Sequence, residues 1–347
     1  MILGIDGGGS RSCAVLADET GQVLGRGTSG PGNYHNLGVE AVKANLAEAV
    51  RQAWRRADLA PRRADAAFFG LGSIVCQEDR DVIHGIAEEL EIAPKDAIGV
   101  DHDLRVALAG GLAGRPGIVL IAGTGSSCYG RTEDARCWRA GGWGPVLDDR
   151  GSGYDLGRRA MIAAVRDLDG RLEPTVLRQR VLDVLGLDDM QKIMFRVDGQ
   201  GLSRREIAAL ACMVTAAAEQ GDAVARAIIH EGADQLALMI RTVADALFAD
   251  GDEPVRVTTA GGLMQAGPVV AHPLHEAVAR RAPRCRIEEP VLPPELGALL
   301  LARELLGLPP EESVVRQLAQ STGDAGLPVT QEPLPAPHFE PSRARVQ

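Results

Sequence analysis

The chain has 347 residues, 45% hydrophobic and 24% charged, a length for about two domains and the make-up of an ordinary folded protein. Its formal net charge of −10 speaks against nucleic acid or an anionic membrane as a bulk partner, since both are bound through positive fields. With aromatics at only 3%, a base-stacking platform is also excluded, whereas 41 glycines are well above an average share.

Taken in order, residues 2–5 form an apolar strand that ends in Asp6-Gly7-Gly8-Gly9-Ser10. Strands are expected over 13–17 and 23–28, with a turn between them. A Gly/Pro/Asn loop over 29–36 precedes a helix over 39–58. A strand over 66–71, a helix over 77–90, a strand over 97–103 ending in acids and a short helix over 104–112 follow. The order is βββαβαβα. About 115 residues on, the pattern restarts: strand 117–122, the turn Gly123-Thr124-Gly125-Ser126, then strand 127–131. Helices follow over 159–169, 175–185, 204–219 and 222–247. The strand 255–259 runs into Ala260-Gly261-Gly262, with a helix opening at Pro268. A short strand at 286–288 and helices over 295–306 and 311–320 complete the folded part. From Ser321 the chain is Pro-rich and aperiodic, a mobile tail by composition. The six cysteines include no C-x-x-C pair, and their apolar neighbours suit reduced, buried thiols of a cytosolic protein. The first ten residues lack the basic region of a signal peptide, and no apolar run reaches the ~18 residues of a membrane span.

Five segments have residue types suited to ligand chemistry. In the first, Asp6 to Ser12, consecutive glycines let backbone amides converge on an anion, and Ser10 and Ser12 add hydroxyl donors. It is neither a P-loop nor a dinucleotide turn: no Gly-Lys-Ser/Thr follows, Ser12 stands where a third glycine belongs, and a strand rather than a helix comes next. A plain Gly-rich hairpin is the alternative. The Gly123–Ser126 turn occupies the equivalent place in the second half, and two such hairpins across a cleft can hold a polyphosphate. The third segment is Asp101-His102-Asp103, at the strand end where α/β proteins bind ligands. A carboxylate there can take a proton from a hydroxyl. Alternatively Asp103 simply caps the next helix, with His102 a structural neighbour. The fourth runs from Gly141-Gly142-Trp143-Gly144 to Asp148-Asp149-Arg150-Gly151-Ser152. Its aromatic wall and carboxylates suit a sugar, or else a loop with a packed Trp143 and a capping aspartate. The fifth, Thr259 to Met264, lets a nucleoside approach the Gly261-Gly262 backbone, or is a tight strand-to-helix turn.

Together these segments resemble the sugar kinase/Hsp70/actin ATPase superfamily, and within it the N-acetylglucosamine kinases and the BadF/BadG/BcrA/BcrD ATPase group. The resemblance spans about residues 1–310 and is carried by IDGGGSRS (5–12), GLGS (70–73), IAGTGSS (121–127), GGWGPVLDDRGSGYDLGR (141–158), AGGL (260–263) and ELGALLLA (295–302). It implies an α/β fold of two actin-like (ribonuclease H-like) lobes, each βββαβαβα, around an ATP cleft. The N-terminal lobe would span 1–103, with a helix at about 309–320 packing back on it. The C-terminal lobe would span 104–308 with helical insertions, leaving 321–347 as the tail. By family pattern Asp6 holds Mg²⁺ through water. Gly7, Gly8, Gly9, Ser10, Arg11 and Ser12 cradle the transferring phosphate, and Gly123, Thr124, Gly125 and Ser126 face it. Gly261 and Gly262 lie against the adenosine. Asp103 becomes the general base on the 6-hydroxyl of an amino sugar, N-acetylglucosamine first, with glucosamine or N-acetylmuramate as alternatives. Asn33 and Asn36 lie in the sugar loop, Asn33 preferred, and Ser73, Gly125, Trp143 and Asp149 in other sugar-facing segments. A cytoplasmic homodimer without nucleic-acid or membrane partners completes the expectation.

The chain departs from the family at Ser10-Arg11, where many relatives have Thr and Lys. It also reads Asp148-Asp149-Arg150-Gly151-Ser152 against Gly-Asp-Glu-Gly-Ser, so a guanidinium at Arg150 replaces a carboxylate. One alternative of another class is an Fe–S ATPase that activates a 2-hydroxyacyl-CoA dehydratase or a benzoyl-CoA reductase. The Trp143 segment and the lack of a paired-cysteine loop favour the kinase. A sugar-responsive binding protein without turnover is a third reading, against which Asp6 and Asp103 count.

Overall fold

In the computed structural model, which describes residues 1–199 and 201–324, the chain opens with an antiparallel hairpin. β1 (Ile2–Gly7) pairs with β2 (Ser12–Ala17) from Ile2–Ala17 to Gly7–Ser12, and β2 pairs with β3 (Val23–Ser29). The helices α1 (Tyr34–Leu37) and α2 (Val39–Arg56) lead to β4 (Ala66–Leu71), which joins β1 in parallel. After α3 (Gln77–Glu89), β5 (Ile98–Asp101) extends the sheet beyond β4. The strand order is β3-β2-β1-β4-β5. The inner strands read as apolar runs because both sheet faces are covered: Leu3, Ile5 and Phe69 pack under α2 and α3, while Ile2 and Ala66 face the other way.

α4 (Asp103–Gly111) crosses to a second sheet of the same design. β6 (Gly117–Ala122), β7 (Ser126–Arg131) and β8 (Cys137–Gly141) are antiparallel neighbours. The helices α5 (Gly153–Leu168), α6 (Leu177–Leu185), α7 (Arg204–Ala209), α8 (Ala211–Glu219) and α9 (Ala223–Leu247) follow. Then β9 (Val255–Ala260), α10 (Pro268–Arg281) and β10 (Cys285–Glu288) return to the sheet, both strands parallel to β6. The order β10-β9-β6-β7-β8 repeats that of the first sheet, so the duplicated βββαβαβα is present in the topology. β8 is an element beyond the expected ones, because an exposed Cys137 and Trp138 on an edge strand hide any alternation.

Other expectations need correction. The helix expected over 204–219 is broken at Leu210. α5 begins at Gly153, six residues before the expected start, because the Ser152 hydroxyl accepts from Asp155 N–H and caps it. The last two helices, α11 (Pro294–Leu305) and α12 (Glu312–Asp324), both pack on the first sheet: Leu296, Leu299 and Leu300, with Val314 and Leu318, cover Ile2, Val15 and Ala66. The return to that sheet therefore starts before 309. α12 runs on to Asp324, past the expected end at 320; the rest of the proposed tail lies outside the described residues. α4 and α11 cross in backbone contact, since a Cβ on Gly297 would clash with the Val106 carbonyl and with Gly110. The six cysteines are free, but only Cys128 and Cys285 are buried; Cys76, Cys137 and Cys212 are exposed. Among the described residues no single helix is long and apolar enough to cross a membrane; α7–α8 and α9 pass such a test only as a pair bent by 119°.

Candidate active site

The β1–β2 tip is closed by a bond from Gly8 N–H to the Arg11 carbonyl at 3.0 Å. Two further bonds fix what surrounds it. Gly32 N–H donates to the Gly8 carbonyl at 3.0 Å, and Gly72 N–H to the Gly7 carbonyl at 2.8 Å. The loop after β3 and the loop after β4 thus meet at the glycine tip. Gly8 and Gly9 have no positive φ, and a Cβ on either would touch nothing within 4 Å. Neither backbone nor packing demands glycine there, which leaves room for a ligand to reach the amides. Ser10 and Arg11 are exposed, whereas Ser12 is buried with no hydrogen-bond partner for its hydroxyl.

Asp6 is the last residue but one of β1, beside this tip. Burial pushes its carboxyl well above the usual range; Glu295 and Asp103 push the same way, against Arg11. Asp103 lies at the start of α4, but it is not the cap. His102 is, with Nδ1 accepting from Arg105 N–H at 3.1 Å. That bond needs an unprotonated Nδ1, in keeping with a pKa lowered by burial. The capping alternative for Asp103 is thereby replaced. Its Oδ1 accepts from Leu104 N–H at 2.9 Å, and Oδ2 lies 3.1 Å from where a Cβ on Gly72 would be. Burial raises its pKa too. Three carboxylates and one exposed arginine call for a cation, and Glu295 is partly answered by Arg26 at 3.1 Å. Among the described residues no group of three or more His, Cys, Asp and Glu could hold a metal directly. The donor set fits a hydrated divalent ion held through water at Asp6.

The loop after β3 brings Asn33 and Ser73 together. Asn33 Oδ1 accepts from His35 N–H at 3.1 Å, the His35 ring meets the Ser73 carbonyl at 3.1 Å, and the buried Ser73 hydroxyl donates to the Gly32 carbonyl at 3.4 Å. Asn36 is exposed on α1, its N–H donating to the Asn33 carbonyl at 3.4 Å.

The second hairpin repeats the first. Gly123 N–H donates to the Gly125 carbonyl at 2.9 Å, and Gly153 N–H to the Gly123 carbonyl at 2.8 Å, tying the start of α5 to the tip. Asp149 is 1% exposed and has φ 56°, a conformation aspartate tolerates better than most residues. Its Oδ1 accepts from Ser126 N–H at 3.3 Å and its Oδ2 from Arg204 at 2.6 Å. Burial still raises its pKa, outweighing Arg204. The Arg204 guanidinium lies against Gly125, where a Cβ would clash with it. Gly123 stands next to the Gly261-Gly262 turn, 3.8 Å from the Gly262 nitrogen if given a Cβ. Gly261 has φ 101° and presses on the Ala122 backbone, so the turn itself requires that glycine. Trp143 is not packed: it is 63% exposed, with the Arg139 guanidinium 5.2 Å from its ring centroid. Arg139 also acts on Asp103, and the rings of His102 and Tyr129 meet edge-on at 4.6 Å, so β7 and β8 flank the start of α4.

Three residues of the site went unread in the sequence. Arg204 and Arg139 are arginines in a helix and an edge strand with no local mark. Glu295 opens the ELGALLLA segment, in which nothing local marks it for a site.

The comparisons agree with this architecture. Residues 3–302 match the BadF/BadG/BcrA/BcrD ATPase family. The chain is 32% identical to the N-acetylmuramic acid/N-acetylglucosamine kinase of Clostridium acetobutylicum, over 87% of this chain and 98% of that protein. It is 28% identical to the N-acetyl-D-glucosamine kinase of Dictyostelium discoideum, over 87% and 97%. A crystal structure from Chromobacterium violaceum, assigned as an N-acetylglucosamine kinase, superposes with TM-score 0.70 at 26% identity, covering 87% of this chain and 98% of that one. Two lobes of repeated topology with these neighbours are the actin-like fold, and the chain is a member of the BadF/BadG/BcrA/BcrD ATPase family.

Proposed function

We propose that the chain is an ATP-dependent amino-sugar kinase that phosphorylates the 6-hydroxyl of N-acetylglucosamine, with Asp103 as general base. The observation that carries this reading is the state of Asp103. His102 does the capping, so the Asp103 carboxylate is left beside the glycine tip with a raised pKa, a poise suited to taking a hydroxyl proton. The relatives' names support the substrate class.

Phosphoryl transfer depends on alignment and on neutralising charge spread over the transferred oxygens. The Gly8-Gly9 tip, with Ser10, Arg11 and Ser12, would meet the transferring phosphate, and Gly123 to Ser126 the other side of the chain of phosphates. Mg²⁺ held through water at Asp6 would supply the remaining positive charge. Gly261 and Gly262 would lie under the adenosine. Asn33, Ser73, Gly125 and Asp149 would accept and donate to sugar hydroxyls, with Trp143 as a wall that the sugar would complete. Asn36, exposed on α1 beside Asn33, would join them. The reading includes a cytoplasmic homodimer, which sedimentation velocity would read.

A coupled ADP-release screen over hexoses, hexosamines, N-acetylated sugars and N-acetylmuramate tests the reading. The greatest stimulation is expected with N-acetylglucosamine; the name of the Clostridium relative makes N-acetylmuramate the second acceptor to compare. ADP release that no sugar stimulates would overturn it. In that event a brown anaerobic protein absorbing near ~400 nm, the signature of an Fe–S cluster, would support the activator reading instead.

A further inference from the structure

Arg150, the residue that departs from the family pattern, has different neighbours from Asp149 beside it. Asp149 is turned onto Ser126 and Arg204, whereas Arg150 lines a separate, largely open cavity of about 280 Å³ at the surface. α5 adds Arg159 to its wall, α9 adds His230, Glu231, Asp234 and Gln235, and α10 adds Arg280. None of the glycine-hairpin residues lines it.

The carboxylates here already have close cations. Asp234 takes Arg281 Nε at 2.6 Å and a second bond from the same guanidinium. Asp155 accepts from Gly151 N–H at 2.9 Å and meets Arg159 Nε at 3.1 Å, while Arg159 also bonds Glu231. Arg150 and Arg280 are left over. They approach Asp155 and Asp234 only to 3.8 Å and 3.9 Å, with side chains 45% and 60% exposed. Two guanidiniums held only by these long ion pairs thus line one concavity, and their donors suit a tetrahedral oxyanion. The space is far larger than a phosphate ion. The Glu231 carboxylate and the Gln235 amide on the same wall are partners for hydroxyls.

We propose that this cavity is a second ligand site, for a phosphorylated monosaccharide, with its phosphate between Arg150 and Arg280 and its hydroxyls toward Glu231 and Gln235. An occupant would also reach the sugar site. Arg150 adjoins Asp149, and its carbonyl accepts the Ser126 hydroxyl at 2.8 Å. This coupling rests on the kinase reading; the binding does not.

The test is calorimetric titration with N-acetylglucosamine 6-phosphate, and separately with inorganic phosphate, while excess N-acetylglucosamine and a non-hydrolysable ATP analogue fill the cleft. The sugar phosphate should bind the wild-type chain about once, and at least about tenfold more weakly to the Arg150→Gln/Arg280→Gln double variant, the loss of charge-assisted bonds. Glu231→Gln removes a competing carboxylate and should tighten inorganic phosphate, a gain that a damaged fold would not give. Equal binding to wild type and double variant, or no binding to either, overturns the proposal. Inorganic phosphate binding as tightly as the sugar phosphate also overturns it, leaving an adventitious anion only. If the kinase reading alone is wrong, free N-acetylglucosamine fails to bind while the arginine dependence persists.

Discussion

Asp103 is held where its charge is costly. Burial raises its pKa in the folded chain, so its contribution to stability is present below the ordinary carboxylate range and lost as pH rises through the raised value. At pH 8 the Asp103→Asn chain should therefore melt higher than wild type, not lower. Its turnover should fall at least ~100-fold, the usual weight of a general base, with ATP affinity kept. The wild-type pH–rate profile should lose activity on the acid side at a pH above that of an exposed aspartate. Thermal melts and the two rate profiles check this, and a variant that is both unstable and active would sink the assignment. At Asp149 the expectation is different, because its ties are to Ser126 and Arg204 on the proposed sugar side. Asp149→Ala should weaken sugar binding at least ~10-fold more than nucleotide binding, since it leaves Arg204 without its buried partner. Titration of both ligands reads the ratio, and equal losses would refute the role. Acids at strand ends are legible in a sequence because the strand before them is. The cap is not: histidine is no usual N-cap, so His102 gave no signal that Asp103 was not the cap.

At the scale of elements, two kinds of glycine have to be told apart. Gly8 and Gly9 have space around them and ordinary backbone angles, so Gly8→Ala should leave the melting temperature within ~1 °C while raising the Kd for ATP. Gly297 is the opposite case. It lets α11 lie on the α4 backbone, and a methyl group there must push the two helices apart. Gly297→Ala should cost about 1–3 kcal/mol, the range for overpacking, in denaturant unfolding. If Gly8→Ala proves the more destabilising, the open tip is wrong. Both glycines look alike in the sequence; only the crossing of distant helices separates them. The hairpins, by contrast, were legible because apolar runs flank their turns. β8 was not, being an edge strand with an exposed Cys137 and Trp138, nor was the start of α5, where glycines precede the Ser152 cap.

For the whole molecule, the repeat of architecture was legible since each half restarts with an apolar strand and a glycine turn. How the halves join was less so. α11 is distant in sequence from the first sheet yet packs on it, and it crosses α4, which runs from β5 to the second sheet. Motion between the lobes must therefore pass through two helices in backbone contact, which permits tilting but little local bending. The loop after β8 meanwhile leaves Trp143, Val146 and Leu147 at 63%, 91% and 82% exposure, an apolar surface costly in water unless something covers it. A sugar bound between Asn33, Ser73 and Asp149, with the lobes drawn together, would cover Trp143. Addition of N-acetylglucosamine and a non-hydrolysable ATP analogue should then shift tryptophan emission to the blue and shorten the radius of gyration in X-ray scattering. In a Trp138→Phe background, which removes the half-exposed tryptophan of β8, the emission shift should vanish on Trp143→Phe while the compaction remains, because Trp54 is already buried in the first lobe and cannot report on the cleft. Compaction without a Trp143 signal would place the sugar away from this loop. Neither change, with ligand binding shown by titration, would mean that the lobes do not close on it.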